Sequence, residues 1–235
     1  MVITSSWLRS RGIDKRLADS YVKNGWFERL ARGLFKRSGD HVDWPGVVQA
    51  LQRDGINLHP GGKTSLALQG YGHYIKMGDS EKLVFWKTPE TRLPVWISEV
   101  LAENSYHITS VRLFQKEQDA LKEITVDNIP LQTSVPERAI LEYLYDVPQM
   151  EGFDEAWHVM GGLTSLRPSL LQQLLVDCRS VKVKRLFMYL AERHNHLWLN
   201  RLDTSKIYFG SGKRVLVKDG KLNKKYGITV PAHLD

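Results

Sequence analysis

Gly210-Ser211-Gly212-Lys213-Arg214, with Asp219 after it, has the residue types of a glycine turn that holds phosphates beside a metal-binding carboxylate. A two-metal phosphoryl-transfer site needs paired acids; Asp219 stands alone there, followed by Gly220 and Lys221, so that site cannot be built. Gly61-Gly62-Lys63-Thr64 looks like a phosphate loop, but the spacing demands a glycine five residues before Gly62 and the chain has Asn57. That stretch reads instead as a loop entering a helix over Thr64 to Gln69, closed by Gly70. His194 and His196 offer two imidazoles without a third ligand at metal-site spacing, and read as an exposed pair at a helix end. Cys178 is the single cysteine. It cannot form an internal disulfide, lies in an apolar helical context away from an activating base, and reads as a small buried apolar side chain. Neither a G-x-S-x-G elbow nor an H-E-x-x-H helix occurs. No catalytic residue, metal or cofactor is expected.

What remains is the chemistry of cations. The formal net charge of +7 is unevenly spread. Residues 1–37 hold nine Lys or Arg against three Asp or Glu, residues 38–181 twelve against nineteen, and residues 182–235 twelve against four. Two basic ends around an acidic middle are the charge asymmetry of a nucleic-acid binder. No run of about eighteen apolar residues is present to span a membrane, and the N-terminus has no signal-peptide pattern, so a cytoplasmic protein is expected.

The elements that must position the N-terminal cations are legible. Thr4, Ser5 and Ser6 can cap a helix of about two turns that stops at Gly12. Ile13 is the apolar residue of the turn, and Asp14 caps a second helix ending at Gly25. On that helix Leu17, Ala18, Tyr21 and Val22 share the packing face; Lys15, Arg16, Asp19, Ser20 and Lys23 share the other. Trp26 to Leu30 and Leu34 to Arg37 then read as strands around Ala31-Arg32-Gly33, a hairpin with glycine at the position needing positive φ. It presents Arg29, Arg32, Lys36 and Arg37. Helix, turn, helix and basic wing would lay the second helix in the major groove with the wing on phosphates. A small solvated helical hairpin with a charged face fits the pattern alone.

Further along, Asp43 or Trp44 opens a helix with Pro45 in its first turn, as a third member of the N-terminal core or a bridge to the remainder. Leu83 to Trp86 and Tyr106 to Phe114 read as strands, the second long enough to be central, while 94–101 suits helix or strand. A hairpin is expected around Asp127-Asn128, then helices from Val135, Phe153 to Met160, Pro168 to Cys178 and Val181 to Arg193, and a β-hairpin or meander within Ile207 to Val230. The C-terminal cations Lys182, Lys184, Arg185, Lys213, Arg214, Lys218, Lys221, Lys224 and Lys225 read as a basic surface for phosphate or partner contact, or as a solvated charge run.

The segments TSSWLRSRGIDKRLADSYVKNGWFERLARGLFKR, GGKTSLALQGYGH, SVPERAILEYL, CRSVKVKRLFMYLAERHNH and GSGKRVLVKDGKLNKKYGITVP, in that order over nearly the whole chain, resemble the AbiEi family. Its members are antitoxins and autoregulators of bacterial type IV toxin–antitoxin, or abortive-infection, systems. The resemblance implies a winged helix-turn-helix that binds double-stranded DNA at inverted repeats in its own promoter. It also implies a C-terminal antitoxin domain that counters a nucleotidyltransferase-like toxin without requiring a stable complex. By position, the reading helix corresponds to Asp14 to Asn24 and the wing to Trp26 to Arg37. Family members look as though they carry another helix ahead of the Thr4 segment, where this sequence has Met1-Val2-Ile3.

The expectation is therefore an α+β chain, with a winged helix-turn-helix and connecting helices over residues 1–78 and a mixed α/β antitoxin domain over 79–235. DNA contacts are expected from Thr4, Ser5, Arg9, Arg11, Lys15, Arg16, Ser20, Lys23, Arg29, Arg32, Lys36 and Arg37. The competing classes are a nucleic-acid- or nucleotide-modifying enzyme acting through the C-terminal part, and an interaction module for an acidic partner.

Overall fold

The structure, a computed structural model, describes residues 1–72, 82–102, 105–116 and 119–234. It is α+β and divides into two compact units. One comprises Met1–Pro60, Ser80–Val111 and Glu123–Thr133; the other comprises Gly61–Asp79, Arg112–Lys122 and Ser134–Asp235.

The first unit begins with a strand that the sequence did not announce. β1 (Val2–Thr4) pairs antiparallel with β3 (Leu34–Arg37), which pairs in turn with β2 (Phe27–Ala31), giving the order β1-β3-β2. Val2–Thr4 thus supplies the third strand of the wing sheet. Because side chains alternate across a strand, Ile3 and Phe35 point to one face and Val2 and Leu34 to the other. The first pair packs with Leu8 and Ala18 of α1 (Ser5–Ser10) and α2 (Lys15–Lys23). The second pair packs with Val47, Val48 and Leu51 of α3 (Trp44–Arg53), in a cluster that also holds Leu58, Phe85, Trp96 and Ile97. So α3 sits on the opposite face of the wing sheet from α1 and α2 and ties it to the rest of the unit.

That remainder is a second sheet of order β4-β5-β6, with β4 (His59–Pro60) antiparallel and β6 (Tyr106–Ser110) parallel to β5 (Leu83–Lys87). Tyr106 to Phe114 was expected as a central strand; it is an edge strand that ends at Ser110, because the chain enters the second unit at Arg112. Residues 94–101 resolve to a short helix, α5 (Ile97–Val100). β7 (Leu121–Val126) and β8 (Ile129–Ser134) form the hairpin, with Asp127 and Asn128 both at positive φ, as its two-residue turn requires.

The second unit is helical. α6 (Pro136–Asp146) is buried along nearly its whole length and packs on α4 (Gly62–Leu66), α7 (Phe153–Gly162), α8 (Pro168–Asp177) and α9 (Val181–Arg193). α4 starts two residues earlier than expected. The Glu142 carboxylate accepts the Gly62 amide at 3.0 Å, the Ser134 hydroxyl at 2.8 Å and Arg138 Nε at 2.7 Å. An internal anion therefore occupies the place where a phosphate loop would hold its ligand. His196 is buried and bonds the Met160 carbonyl at 2.8 Å, and His194 lies half-buried against Trp157, ring centroids 4.4 Å apart. The expectation of an exposed histidine pair is corrected: the chain after α9 turns back onto α7. Cys178 is buried. Of the expected terminal hairpin or meander the structure has the hairpin, β9 (Lys221–Asn223) paired antiparallel with β10 (Ile228–Val230).

Candidate nucleic-acid interface

Thr4 Oγ1 accepts the Trp7 amide at 3.1 Å and starts α1, which stops as Gly12 takes φ +78. Asp14 Oδ1 accepts the Leu17 amide at 2.8 Å and starts α2. Ile13 fills the turn and packs on the cluster of Ile3, Leu8, Ala18 and Phe35. α2 is thereby held at both ends and along one side, and its remaining side carries Lys15, Arg16 and Lys23 in solvent with Ser20 half-exposed between them. None of the three cations has an ion-pair partner among the described residues. Leu17, expected on the packing face, is 40% exposed and joins this outer side.

The wing is fastened to α2. Arg29 Nη2 meets Asp19 Oδ1 at 2.5 Å, and its guanidinium lies 5.0 Å from the centre of the Phe35 ring. The turn is tighter than expected: Ala31 remains in β2 and pairs with Leu34 after a bulge, leaving Arg32-Gly33 as the turn, with Gly33 at φ +81. Arg32 and Arg37 are exposed, and their side chains make no hydrogen bond or ion pair among the described residues. Lys36 is drawn inward, at 2.9 Å from Glu28 and donating to the Asp40 carbonyl; that contact and the Gly39 amide hold the Glu28 carboxyl below the usual range.

The expected contact residues therefore separate. Lys15, Arg16, Lys23, Arg32, Arg37 and Arg9 are exposed and unpaired among the described residues. Arg11 is exposed and stacked on Trp7, 4.4 Å from the ring centre, with Arg53 also against that ring at 4.7 Å. Thr4 is 4% exposed and its hydroxyl is used as the cap; Ser5 is half-buried, its amide donating to the Gly33 carbonyl. Trp7, which sequence reasoning passed over, is what holds Arg11; its signal was an aromatic four residues before an arginine on one helix face.

The C-terminal cations also separate, and here the expected basic surface is corrected in part. Lys184 and Arg185 are buried, at 3% and 5% exposure. Arg185 spends its guanidinium on the carbonyls of Phe209, Gly210, Gly212 and Gly227. Lys182 donates to the carbonyls of Tyr145 and Val147, and burial lowers its pKa. α9 packs on all sides, which its spacing of charges did not reveal. Lys213, Arg214, Lys218, Lys221, Lys224 and Lys225 are exposed, Lys225 being paired with Glu192 at 2.5 Å. Among the described residues no three His, Cys, Asp or Glu side chains are grouped as metal ligands, and no helix is long and apolar enough to cross a membrane.

A capped second helix with an unpaired basic face, braced by a three-stranded wing, defines a winged helix-turn-helix protein. The chain belongs to the AbiEi family of transcriptional regulators, the antitoxins of type IV toxin–antitoxin systems: the model of the AbiEi antitoxin N-terminal domain matches residues 1–77, and that of the AbiEi antitoxin proper matches residues 80–231. In fold the chain is similar to the RV2827C protein from Mycobacterium tuberculosis. That crystal structure aligns with a TM-score of 0.64 at 13% identity, covering 97% of this chain and 85% of that one. No curated protein matches the sequence.

Proposed function

We propose that this protein is a DNA-binding autorepressor and antitoxin with no catalytic step of its own. Its α2 enters the major groove at inverted repeats in its own promoter, and its second part counters a nucleotidyltransferase-like toxin. The observation that carries the reading is the outer face of α2, where Lys15, Arg16 and Lys23 stand in solvent with no internal acid to satisfy them. Cations left unpaired on a rigid helix are available to phosphates and base edges, and guanidinium is the group that grips guanine in two places. Arg32 and Arg37 on the wing, with Arg9 and Arg11 beside α1, supply sequence-independent phosphate contacts. Residues 1–78 are assigned to DNA reading and 79–235 to antitoxicity, with Arg214 and the exposed lysines of 213–225 adding phosphate contacts between neighbouring copies on the operator. The expected boundary at Gly78 lies outside the described residues.

The test pairs a mobility-shift titration on the DNA upstream of the protein's own gene with rescue of cells expressing the neighbouring toxin gene. Salt-dependent binding to that DNA and not to a scrambled duplex, together with rescue, is the expected result. Equal affinity for both duplexes overturns the repressor assignment, and failure of rescue overturns the antitoxin assignment.

A further inference from the structure

Leu17 is the apolar side chain of α2 that the fold does not use. Of the four residues that spacing puts on the packing side, Ala18 and Val22 join the cluster with Ile3, Leu8 and Phe35. Tyr21 packs edge-on against Phe27, ring centroids 5.3 Å apart. Leu17 is in neither apolar cluster of this unit among the described residues, and it is 40% exposed. Its backbone is nevertheless fixed, because its amide is the one that the Asp14 cap accepts at 2.8 Å. The result is an apolar group held in water, in the first turn of a capped helix, beside cations.

Its place on that helix is specific. Successive residues are rotated by about 100°, so the order round the outer side of α2, starting nearest the wing, is Lys15, Asp19, Lys23, Arg16, Ser20, Leu17. Asp19, toward the near margin, is engaged by Arg29 of the wing. Arg16 and Ser20 form the centre, and Leu17 is the far margin, about 60° beyond Ser20. A solitary exposed leucine is ordinary on a protein surface. Here it is the apolar member of a face whose other members are charged or polar. The major groove offers such a side chain one apolar feature, the 5-methyl group of thymine. That methyl projects outside O4, toward thymine's own backbone, and a residue at the margin of a helix face is the one that arrives there.

We propose, resting on the reading of α2 as the helix that enters the major groove, that Leu17 selects thymine by packing on its 5-methyl group, at or beside the base pair that Arg16 contacts. The two neighbours divide the work by chemistry: guanidinium takes the N7 and O6 acceptors of guanine, and leucine takes the methyl. Burying one methyl group against leucine favours thymine over a base without that methyl by about fourfold. Because the operator is read as inverted repeats, the preference applies once in each half-site.

The test measures the affinity of the full chain for the duplex upstream of its own gene, with each thymine in turn replaced by deoxyuridine, which lacks only the methyl. One thymine in each half-site is expected to lose about fourfold on replacement. Leu17→Ala should bind the thymine and deoxyuridine duplexes alike at that position while still preferring the operator to a scrambled duplex. It should melt as the wild type does, since the side chain supports neither cluster. Leu17→Met, which keeps an apolar group in place, should restore the methyl preference. A scan of the unaltered protein in which no thymine matters overturns the proposal while specific operator binding stands, and so does a methyl effect that Leu17→Ala leaves intact. Equal affinity for operator and scrambled duplex overturns the reading of α2 itself, and the thymine assignment with it.

Discussion

Arg29 of the wing and Asp19 of α2 meet at 2.5 Å, so the wing strand and the second helix of the helix-turn-helix are joined by their own side chains. Both residues are more than a third exposed, so the pair contributes at most about 1 kcal/mol to folding. Its importance is electrostatic: Asp19 is the acid on the outer face of α2, and it occupies one wing cation. Asp19→Ala should free Arg29 for phosphate, tighten binding and steepen the fall of log affinity with log salt by about one unit per added contact. An unchanged salt slope in mobility-shift titrations would place Arg29 away from the DNA.

Neutralising Arg16 and Lys23 together should weaken operator binding. If Arg16 grips a guanine edge, its loss costs about 1–3 kcal/mol and relaxes one position of the site. The double variant should melt as the wild type does, because neither side chain has an internal partner among the described residues. Full operator affinity in that variant would remove α2 as the reader.

Arg185 and the pair Lys213 and Arg214 should separate stability from binding. Arg185→Ala strands four carbonyls in a buried setting and should destabilise by at least about 3 kcal/mol. Replacing Lys213 and Arg214 should leave the melting temperature unchanged and flatten the salt slope of cooperative DNA binding. The sequence groups all three as one basic surface; urea unfolding and salt titrations of the variants test that they are two different things.

Burial, and then the neighbouring His196 and His158, hold the His194 imidazole below its ordinary range, against a favourable Trp157 backbone bond. The unfolded chain then takes up a proton more readily than the folded one. Stability is complete above about pH 6.5 and falls as the pH drops below that value. Thermal melts from pH 7.5 to 5.5 should show this decline, and His194→Gln should flatten it; parallel curves would remove His194 as its source.

A fragment ending at Gly78 keeps Ile3, Leu8, Ala18 and Phe35, the core beneath the reading helices, but loses Phe85, Trp96, Ile97 and Leu101 from the cluster over α3. It should still bind the operator and should not rescue cells from the toxin. It should also melt at lower temperature and self-associate through the uncovered α3 face, as sedimentation would show. A monomeric fragment as stable as the whole chain would mean that α3 needs no such cover.

The helix-turn-helix was legible because its information is local. Thr4, Gly12, Asp14 and Gly25 punctuate the helices by side-chain oxygens and permissive φ, and apolar spacing within nine residues of α2 sets its free face. Most of the later helices and the Asp127-Asn128 hairpin were legible for the same reason. Long-range pairing decided the rest. Val2–Thr4 is three residues long and becomes a strand only because Leu34–Arg37 lies beside it. Lys184 and Arg185 look like surface cations in a row, yet α9 is packed on all sides and the carbonyls that receive Arg185 lie 24 to 42 residues further along the chain. His196 is buried by Met160, 36 residues earlier. Charge is written in the sequence residue by residue; whether a charge meets water, a carbonyl or an acid is set by which distant segments fold against it, and only the tertiary structure decides that.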